Sequence, residues 1–402
     1  MLLYRNYLSW FIVMFKINNK NKFLIQRLLD ASSGFLLSFV FLLLKRKKRI
    51  IFNSTVNTDF TFNSKYLFIN HKDNLETQGY EIKFVINDIA KREALSKKYG
   101  DYFISSKGFS NKCYILNAAG WIMSTMDPPI GGIFLNHNRF VLQLGHGTPI
   151  KNIGLMDGSA SWLKRAYYKL MTTNVTYYLS PSDFFAEYIG KAFGISHEQV
   201  MVMSQPRLES MSYSQSDFIN QFRTDGETKL VLYSPTWRPY EDVKLFPFAD
   251  YSTQTMEQQL IEGNMVIFVR LHPKFEGDLS PYLNSQVINL NSQVIEDITE
   301  HLDQFDILLT DYSSIYCDFA MLDKPVGFIP YDREAYQKAV GFSFDYEEVT
   351  WGDTIDSVEK LFCIDKRHRP GEQLNILNIT PNAQDIDCLL NDQLRKIVLT
   401  NN

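Results

Sequence analysis

Four short stretches of this sequence set proton-transferring or anion-binding side chains directly after an apolar run. In FVLQLGHGTPIK, residues 140–151, His146 stands between Gly145 and Gly147 and is followed by Thr148 and Lys151. Flanking glycines permit unusual dihedrals and a close backbone approach to a ligand, so the imidazole has little steric cover. An imidazole so placed can take a proton from a hydroxyl near neutral pH, and Lys151 can face an anion. In LYSPTWR, residues 232–238, Thr236 offers a hydroxyl and Arg238 a fork that matches phosphate oxygens. In VIFVRLHP, residues 266–273, Arg270 and His272 alternate along a strand end and so share one side. A cation there keeps the imidazole neutral or binds an anion beside it, and either suits phosphate chemistry. In DILLTDYSSIYCDF, residues 306–319, a strand gives way to a helix at Asp311, Ser313 and Ser314. Hydroxyls and amides at a helix start attract anions, and Asp311 or Ser313 can also cap the helix.

Other chemistries are disfavoured. No cluster of His, Cys and carboxylates has metal-ligand spacing, so neither a metal nor a cofactor is expected. The GxGxxG, P-loop and GxSxG patterns are absent, which argues against a simple dinucleotide site, a P-loop site and a hydrolase elbow.

The elements that must position these residues follow an α/β pattern from about residue 50. Strands are expected at 65–69, 81–86, 112–116, 139–144, 176–179 and 199–203, with helices at 89–99 and 162–171 between them. The second half repeats the alternation, with strands at 229–233, 265–270, 286–290, 306–309 and 326–329 and helices at 254–262, 295–301 and 314–322. Such alternation implies parallel sheets with right-handed crossovers. Ligands of doubly wound sheets sit beyond the carboxyl ends of the strands, where all four stretches fall. The expected domains are a segment at 1–50, Rossmann-like units at 51–205 and 206–375 facing a cleft, and a tail or returning helix at 376–402.

The chain has 402 residues, 45% hydrophobic and 21% charged, which excludes a low-complexity scaffold. Four scattered cysteines without CxxC fit a reducing compartment. A net charge of −4 conceals an asymmetry. Residues 1–50 carry ten Lys/Arg against Asp30 alone, a balance of +9, which leaves −13 for the remainder. That acidic body gives no reason to expect a nucleic-acid partner. The basic end holds two apolar runs, Tyr7–Phe15 and Phe35–Leu44, the second followed at once by KRKKR. Both are shorter than the ~20 residues of a spanning helix. The expectation is an amphipathic membrane-association segment, apolar side chains at the acyl boundary and Lys/Arg at anionic headgroups.

Taken together, LGHGTPIK (144–151), YSPTWR (233–238), RLHP (270–273) and LLTDYSSIYCDFAMLDKPVGFIPYD (308–332) resemble, in order, the signature blocks of the CDP-glycerol glycerophosphotransferase family. YYLSPSDFFAEYIGKAFG (177–194) fits between them. These enzymes build teichoic-acid and related capsule polymers. The resemblance implies a GT-B-like fold with the acceptor on the unit at 51–205 and CDP-glycerol on the unit at 206–375, peripheral membrane association at the cytoplasmic face and metal-independent transfer of glycerol phosphate from CDP-glycerol to a lipid-linked acceptor. It implies that His146 deprotonates the acceptor hydroxyl and that His272 assists the donor phosphates or leaving group. Thr236, Arg238, Arg270, Ser313, Ser314 and Asp318 then fall among donor phosphate or nucleotide contacts. Gly147, Thr148, Lys151, Arg207 and Asp311 are further candidates. Two departures stand out: Gly145 where many relatives have Trp, and SQPRLE (204–209) where the family has Gly-x-Pro-Arg-Asn-Asp. A CDP-ribitol donor, a nucleotide-sugar donor, or a non-catalytic protein that binds anionic polymers at a membrane remain as alternatives.

Overall fold

The computed structural model describes residues 34–35, 37–158, 160–211, 218–224, 226–272, 278–350, 352–364, 371 and 386–400. The first apolar run, Tyr7–Phe15, lies outside them. Two sheets form, and every pairing in both is parallel. The first contains β1 (Lys47–Asn53), β2 (Glu81–Val85), β3 (Phe103–Ile104), β4 (Ala118–Met123), β5 (Phe140–Gln143), β6 (Tyr177–Ser180) and β7 (Val200–Val202), in the order β3-β2-β1-β4-β5-β6-β7. The second contains β8 (Lys229–Ser234), β9 (Met265–Val269), β10 (Val287–Asn289), β11 (Ile307–Thr310), β12 (Val326–Phe328) and β13 (Asp353–Thr354), in the order β10-β9-β8-β11-β12-β13. Strand order reverses between β1 and β4 and again between β8 and β11. Each reversal opens a crevice at the carboxyl ends of the strands.

Central strands of parallel sheets are covered on both faces and read as continuous apolar runs. Ile50, Ile51 and Phe52 of β1 and Leu230, Val231 and Leu232 of β8 are fully buried in this way. The crossover helices include α1 (Phe62–Thr77), α2 (Ile89–Tyr99), α3 (Trp162–Thr172), α4 (Asp183–Phe193) and α5 (Thr253–Glu262). Asp88, Ser161, Ser182 and Ser252 cap the last four, each side chain accepting from a first-turn amide.

Three sequence expectations are corrected. Residues 65–69 are helical within α1, and 112–116 lie in the helix Phe109–Leu116. Their aromatic and β-branched content suggested strands, but 65–69 runs on into the polar turns of α1, 112–116 closes a helix begun at Phe109, and tertiary packing decides. In their place β1 and β4 take the centre of the sheet. The basic cluster 45–49 is partly structural, because β1 begins at Lys47. Arg46 is buried and donates to the carbonyls of Leu116 (2.8 Å), His137 (2.9 Å) and Asn138 (3.3 Å). Arg49 is buried too, pairs with Glu81 and donates to the Tyr114 carbonyl. Lys45, Lys47 and Lys48 remain exposed.

Residues 34–35 and 37–42 are helical. No helix among the described residues is long and apolar enough to cross a membrane. At the other end of the chain, the helix Ile386–Thr400 returns to the first sheet, burying Leu390 and Leu394 in the core that holds Ile50 and Ile122.

Candidate active site at the facing strand tips

The two sheets present their carboxyl ends to one another. β5 ends at Gln143, and the loop that follows turns at Gly145 with φ 70°, a left-handed conformation that favours glycine. His146 follows and is exposed. Phe62, the first residue of α1, lies against that ring at 5.4 Å between centroids. Phe62 itself has φ 61°, an outlier for a bulky side chain. Gly147 then meets the second domain. A side-chain carbon there would lie 2.9 Å from Ser314 Oγ, so glycine allows the His146 loop to touch the loop after β11.

Arg207 ties these loops together. Its guanidinium donates to the His146 carbonyl at 2.9 Å and to Asp318 at 2.7 Å, with both side chains of the ion pair buried. Asn63 anchors the same loop from below, donating to the carbonyls of Leu144 (3.1 Å) and Gly145 (3.0 Å) and to Gln205 (3.1 Å). The Asn63 side chain also accepts the Arg207 amide, and Gln205 donates to the Thr148 hydroxyl. Farther along the cleft, Lys65 pairs with Asp297 (3.2 Å) and Glu300 (2.8 Å), so α1 is also tied to the second domain.

Solvent reaches the His146 ring, yet protein crowds it. Burial lowers its pKa below the ordinary histidine value, and the charges of Arg207 and Lys151 act in the same direction. A hydrogen bond with the Ser124 backbone and the Asp127 carboxylate oppose the shift. The imidazole is therefore neutral at neutral pH, the state that accepts a proton. Burial pushes the Asp318 carboxyl up to about 6, and Arg207 works against that rise.

On the facing side, β8 ends before Thr236 and β11 before Asp311, at the reversal of the second sheet. Ser313 and Ser314 are half-buried. Among the described residues their amides donate to no backbone carbonyl. Lys151 lies on the segment that crosses to the second domain, bridged to Phe342, and its carbonyl accepts from Ser343. Burial lowers the pKa of its ammonium; Asp311 raises it and Arg238 lowers it further. No hydrogen bond or ion pair to that ammonium is present among the described residues.

Several sequence-derived candidates sit elsewhere than expected. The Arg238 side chain is 0% exposed and cannot touch a ligand in this structure. Asp332 accepts from its Nε and Nη2 (both 2.8 Å), Asp311 from its Nη1 (2.6 Å). The rings of Tyr331 and Tyr312 lie 4.9 and 5.0 Å from it. Asp311 is equally committed, accepting from Arg238 and from the amides of Thr236 and Tyr312. Thr236 lends that amide, while its hydroxyl is buried with no hydrogen bond among the described residues. Arg270 is buried and holds the carbonyls of Leu290, Ile295 and Glu296. Asp318 is buried against Arg207. These five residues support the strand-end loops from behind. His272 is exposed just past β9, directly before residues 273–277.

Sequence reasoning passed over Asn63, Lys65, Ser124 and Asp332. Asp332 lies inside the block 308–332 and has a detectable signal, a carboxylate after a strand. Asn63 has none, because its partners are 81 to 144 residues away. Among the described residues no group of three or more His, Cys, Asp or Glu is placed to hold a metal ion.

Two doubly wound domains joined by ion pairs, with the His146 loop touching a serine-rich loop through Gly147, define a GT-B-like α/β protein. Residues 35–369 match the family described as CDP-glycerol:poly(glycerophosphate) glycerophosphotransferase, and the chain belongs to that family. It is 26% identical over 273 residues to a teichoic acid glycerol-phosphate transferase of Staphylococcus aureus, covering 62% of this chain and 67% of that one. To a teichoic acid poly(glycerol phosphate) polymerase of Bacillus spizizenii it is 26% identical over 395 residues, 89% of this chain and 92% of that one. A solved structure of a variant of the wall teichoic acid polymerase TagF, soaked with CDPG, superposes with a TM-score of 0.69 at 20% identity. It covers 94% of this chain and 98% of that one.

Proposed function

We propose that this chain transfers glycerol phosphate from CDP-glycerol to a hydroxyl of a lipid-linked acceptor, releasing CMP, in teichoic-acid-like polymer synthesis. The contact of the His146 loop with the Ser313–Ser314 loop, through Gly147, carries this reading, because it joins a proton acceptor to a phosphate-facing loop. The names of the relatives support the donor class.

His146 takes the proton as the acceptor oxygen attacks the phosphorus that bears glycerol. The bond from that phosphorus to the oxygen of the CMP phosphate breaks, and CMP leaves with the electron pair. Lys151 and the hydroxyls and amides of Ser313 and Ser314 neutralise charge on the phosphates. Arg207 and Asn63 position the base loop. Arg238, Asp311 and Asp332 position the serine loop. Such transfer depends chiefly on positioning and electrostatic stabilisation.

The exposed apolar side chains Phe35, Phe39, Val40 and Leu43, next to Lys45, Lys47 and Lys48, suit an anionic membrane surface. Each such lysine contributes about 1 kcal/mol of attraction. On this reading the cleft is held at the cytoplasmic face of the membrane.

Two outcomes follow at the site. Lys151→Ala raises the KM for CDP-glycerol by about tenfold, the scale of one charge-assisted hydrogen bond, with the fold intact. Steady-state kinetics with calorimetric donor binding check it. The acid limb of kcat/KM lies below the ordinary histidine value of about 6.5, because imidazolium is disfavoured in the folded protein. Arg207→Gln removes the positive charge that acts most strongly on the ring and moves that limb to higher pH. A limb at or above 6.5 in the wild type, or one unmoved in the variant, contradicts the assignment of His146 as base.

The donor is tested by CMP release in the presence of acceptor, with CDP-glycerol, CDP-ribitol and UDP-sugars compared side by side. Preference for CDP-glycerol is expected. Preference for CDP-ribitol changes the donor, UDP-sugar turnover changes the reaction class, and no turnover with any donor leaves a binding protein.

A further inference from the structure

Two kinds of contact join the domains. Around Phe344 the contact is apolar and backed by main-chain pairing. The rings of Phe184, Phe185 and Tyr188 of α4 lie 6.0, 5.8 and 5.2 Å from that of Phe344. Beside them the Ser343 amide donates to the Ile150 carbonyl and the Asn152 amide to the Gly341 carbonyl, both at 3.1 Å. Parting these groups exposes apolar area and unpaired backbone, so this contact holds. At α1 the contact is ionic. The Lys65 ammonium donates to Asp297 and Glu300, and the Tyr66 hydroxyl donates to Asp297 at 2.5 Å. Charged groups regain their water on separation, so this contact can open while the other serves as the pivot.

Each half of the ionic cluster is anchored in its own domain. On the second, Arg270 at the end of β9 donates to the carbonyls of Ile295 and Glu296, the two residues before Asp297. Asp297 then caps the short helix Ile298–Gln304 by accepting the Thr299 amide, and Glu300 stands within that helix. On the first, Phe62, Lys65 and Tyr66 occupy positions i, i+3 and i+4 and so share one face of α1. Phe62 packs on the His146 ring one turn before the cluster. The residues between them address the same loop. Asn63 holds the Leu144 and Gly145 carbonyls, and the Ser64 amide donates to Ser124 Oγ at 2.7 Å. The Ser124 backbone in turn is hydrogen-bonded to His146. Phe62 keeps its φ of 61°, a conformation that a bulky residue holds only where its surroundings determine it. Burial disfavours charge on Lys65 and Asp297, yet pairing prevails. The ammonium titrates above its ordinary value and the carboxyl below.

We infer that Lys65 and Tyr66 are positioning residues that make the base conditional on domain closure: their capture by Asp297 and Glu300 fixes the first turn of α1, and that turn aims the His146 ring. The inference rests on the transfer reaction proposed above. Three variants of the full chain test it. Lys65→Met/Tyr66→Phe removes the cluster from the first domain, and Asp297→Asn/Glu300→Gln removes it from the second. Asparagine at 297 still caps its helix, so the local structure there is kept. Lys164→Met is the control, breaking an ion pair with Asp157 that lies inside the first domain and has the same 2.8 Å length as the Lys65–Glu300 pair.

CMP release with acceptor gives kcat, calorimetry gives CDP-glycerol affinity, and hydrogen exchange read by mass spectrometry follows the peptide 143–149. Both cluster variants should lose about 10- to 100-fold in kcat, the scale of a misplaced reacting group. Both should bind CDP-glycerol as wild type does. Both should exchange faster at 143–149, although residues 297 and 300 belong to the other domain. The control should match wild type in all three readouts. An unmoved kcat or unmoved exchange at 143–149 in either cluster variant overturns the inference. So does a loss of CDP-glycerol affinity equal to the loss of kcat, or an equal loss in the control. If wild type does not turn over CDP-glycerol, the transfer reaction falls and exchange alone decides the coupling: faster exchange at 143–149 in both cluster variants keeps it, and unchanged exchange removes it.

Discussion

His146→Ala lowers kcat by about 10²–10⁴-fold, the contribution of a positioned general base, and leaves CDP-glycerol affinity nearly unchanged. The split between kcat and donor binding is the informative part. His146 belongs to the first domain, whereas Ser313 and Ser314, the groups proposed to hold the donor, belong to the second. Its neutral state is arranged by burial first and by the nearby cations Arg207 and Lys151 second. Phe62 limits how the ring can tilt. Loss of the imidazole therefore removes a proton acceptor without dismantling the phosphate loops, and the acid limb of the rate profile disappears with it. Near wild-type turnover in purified His146→Ala would place the base elsewhere.

Arg238→Met destabilises the fold by about 3–5 kcal/mol, because one partner of a buried ion network is removed and the carboxylates stay behind. The side chain is 0% exposed and bridges Asp311 to Asp332. Burial works to raise the Asp332 pKa, but hydrogen bonds from Arg238, Tyr240 and Tyr312 hold it below the usual carboxylate value. Without the guanidinium, two carboxylates at the end of the second sheet face each other uncompensated. Urea denaturation of wild type and variant reads the difference directly. A variant as stable as wild type, with a raised KM for CDP-glycerol alone, would return Arg238 to the phosphate-contacting role that its residue type suggests. Lys151→Ala is the contrasting case, expected to alter donor binding and not stability.

Arg238 and Arg270 explain where sequence reading succeeds and where it stops. Gly145-His146-Gly147 was legible because its signal is local: an apolar run, then glycines, then a residue able to move a proton. Ser313 and Ser314 were legible for the same reason. Arg238 and Arg270 were misplaced because residue type reports what a side chain can bind, whereas its actual partners come from distant sequence. Asp332 lies 94 residues from Arg238, and Leu290 lies 20 from Arg270. Arg46 and Arg49 follow the same rule. A basic cluster after an apolar run reads as a membrane contact, yet two of its members satisfy carbonyls and a carboxylate inside the first domain. The second-half strands were legible as compact apolar runs with turn residues between them. β1 was not, since its apolar core Ile50–Phe52 adjoins the basic cluster, and its central place in the sheet depends on pairing with β2 and β4.

The central claim is that one glycerol phosphate unit moves to the acceptor for each CMP released. The direct measurement combines CMP quantification with intact-mass analysis of a lipid-linked acceptor after incubation with CDP-glycerol. The account predicts acceptor masses that rise by whole glycerol phosphate units, with total units equal to CMP formed, and neither product in His146→Ala. CMP formed without any gain in acceptor mass, or a gain that persists in His146→Ala, would contradict it.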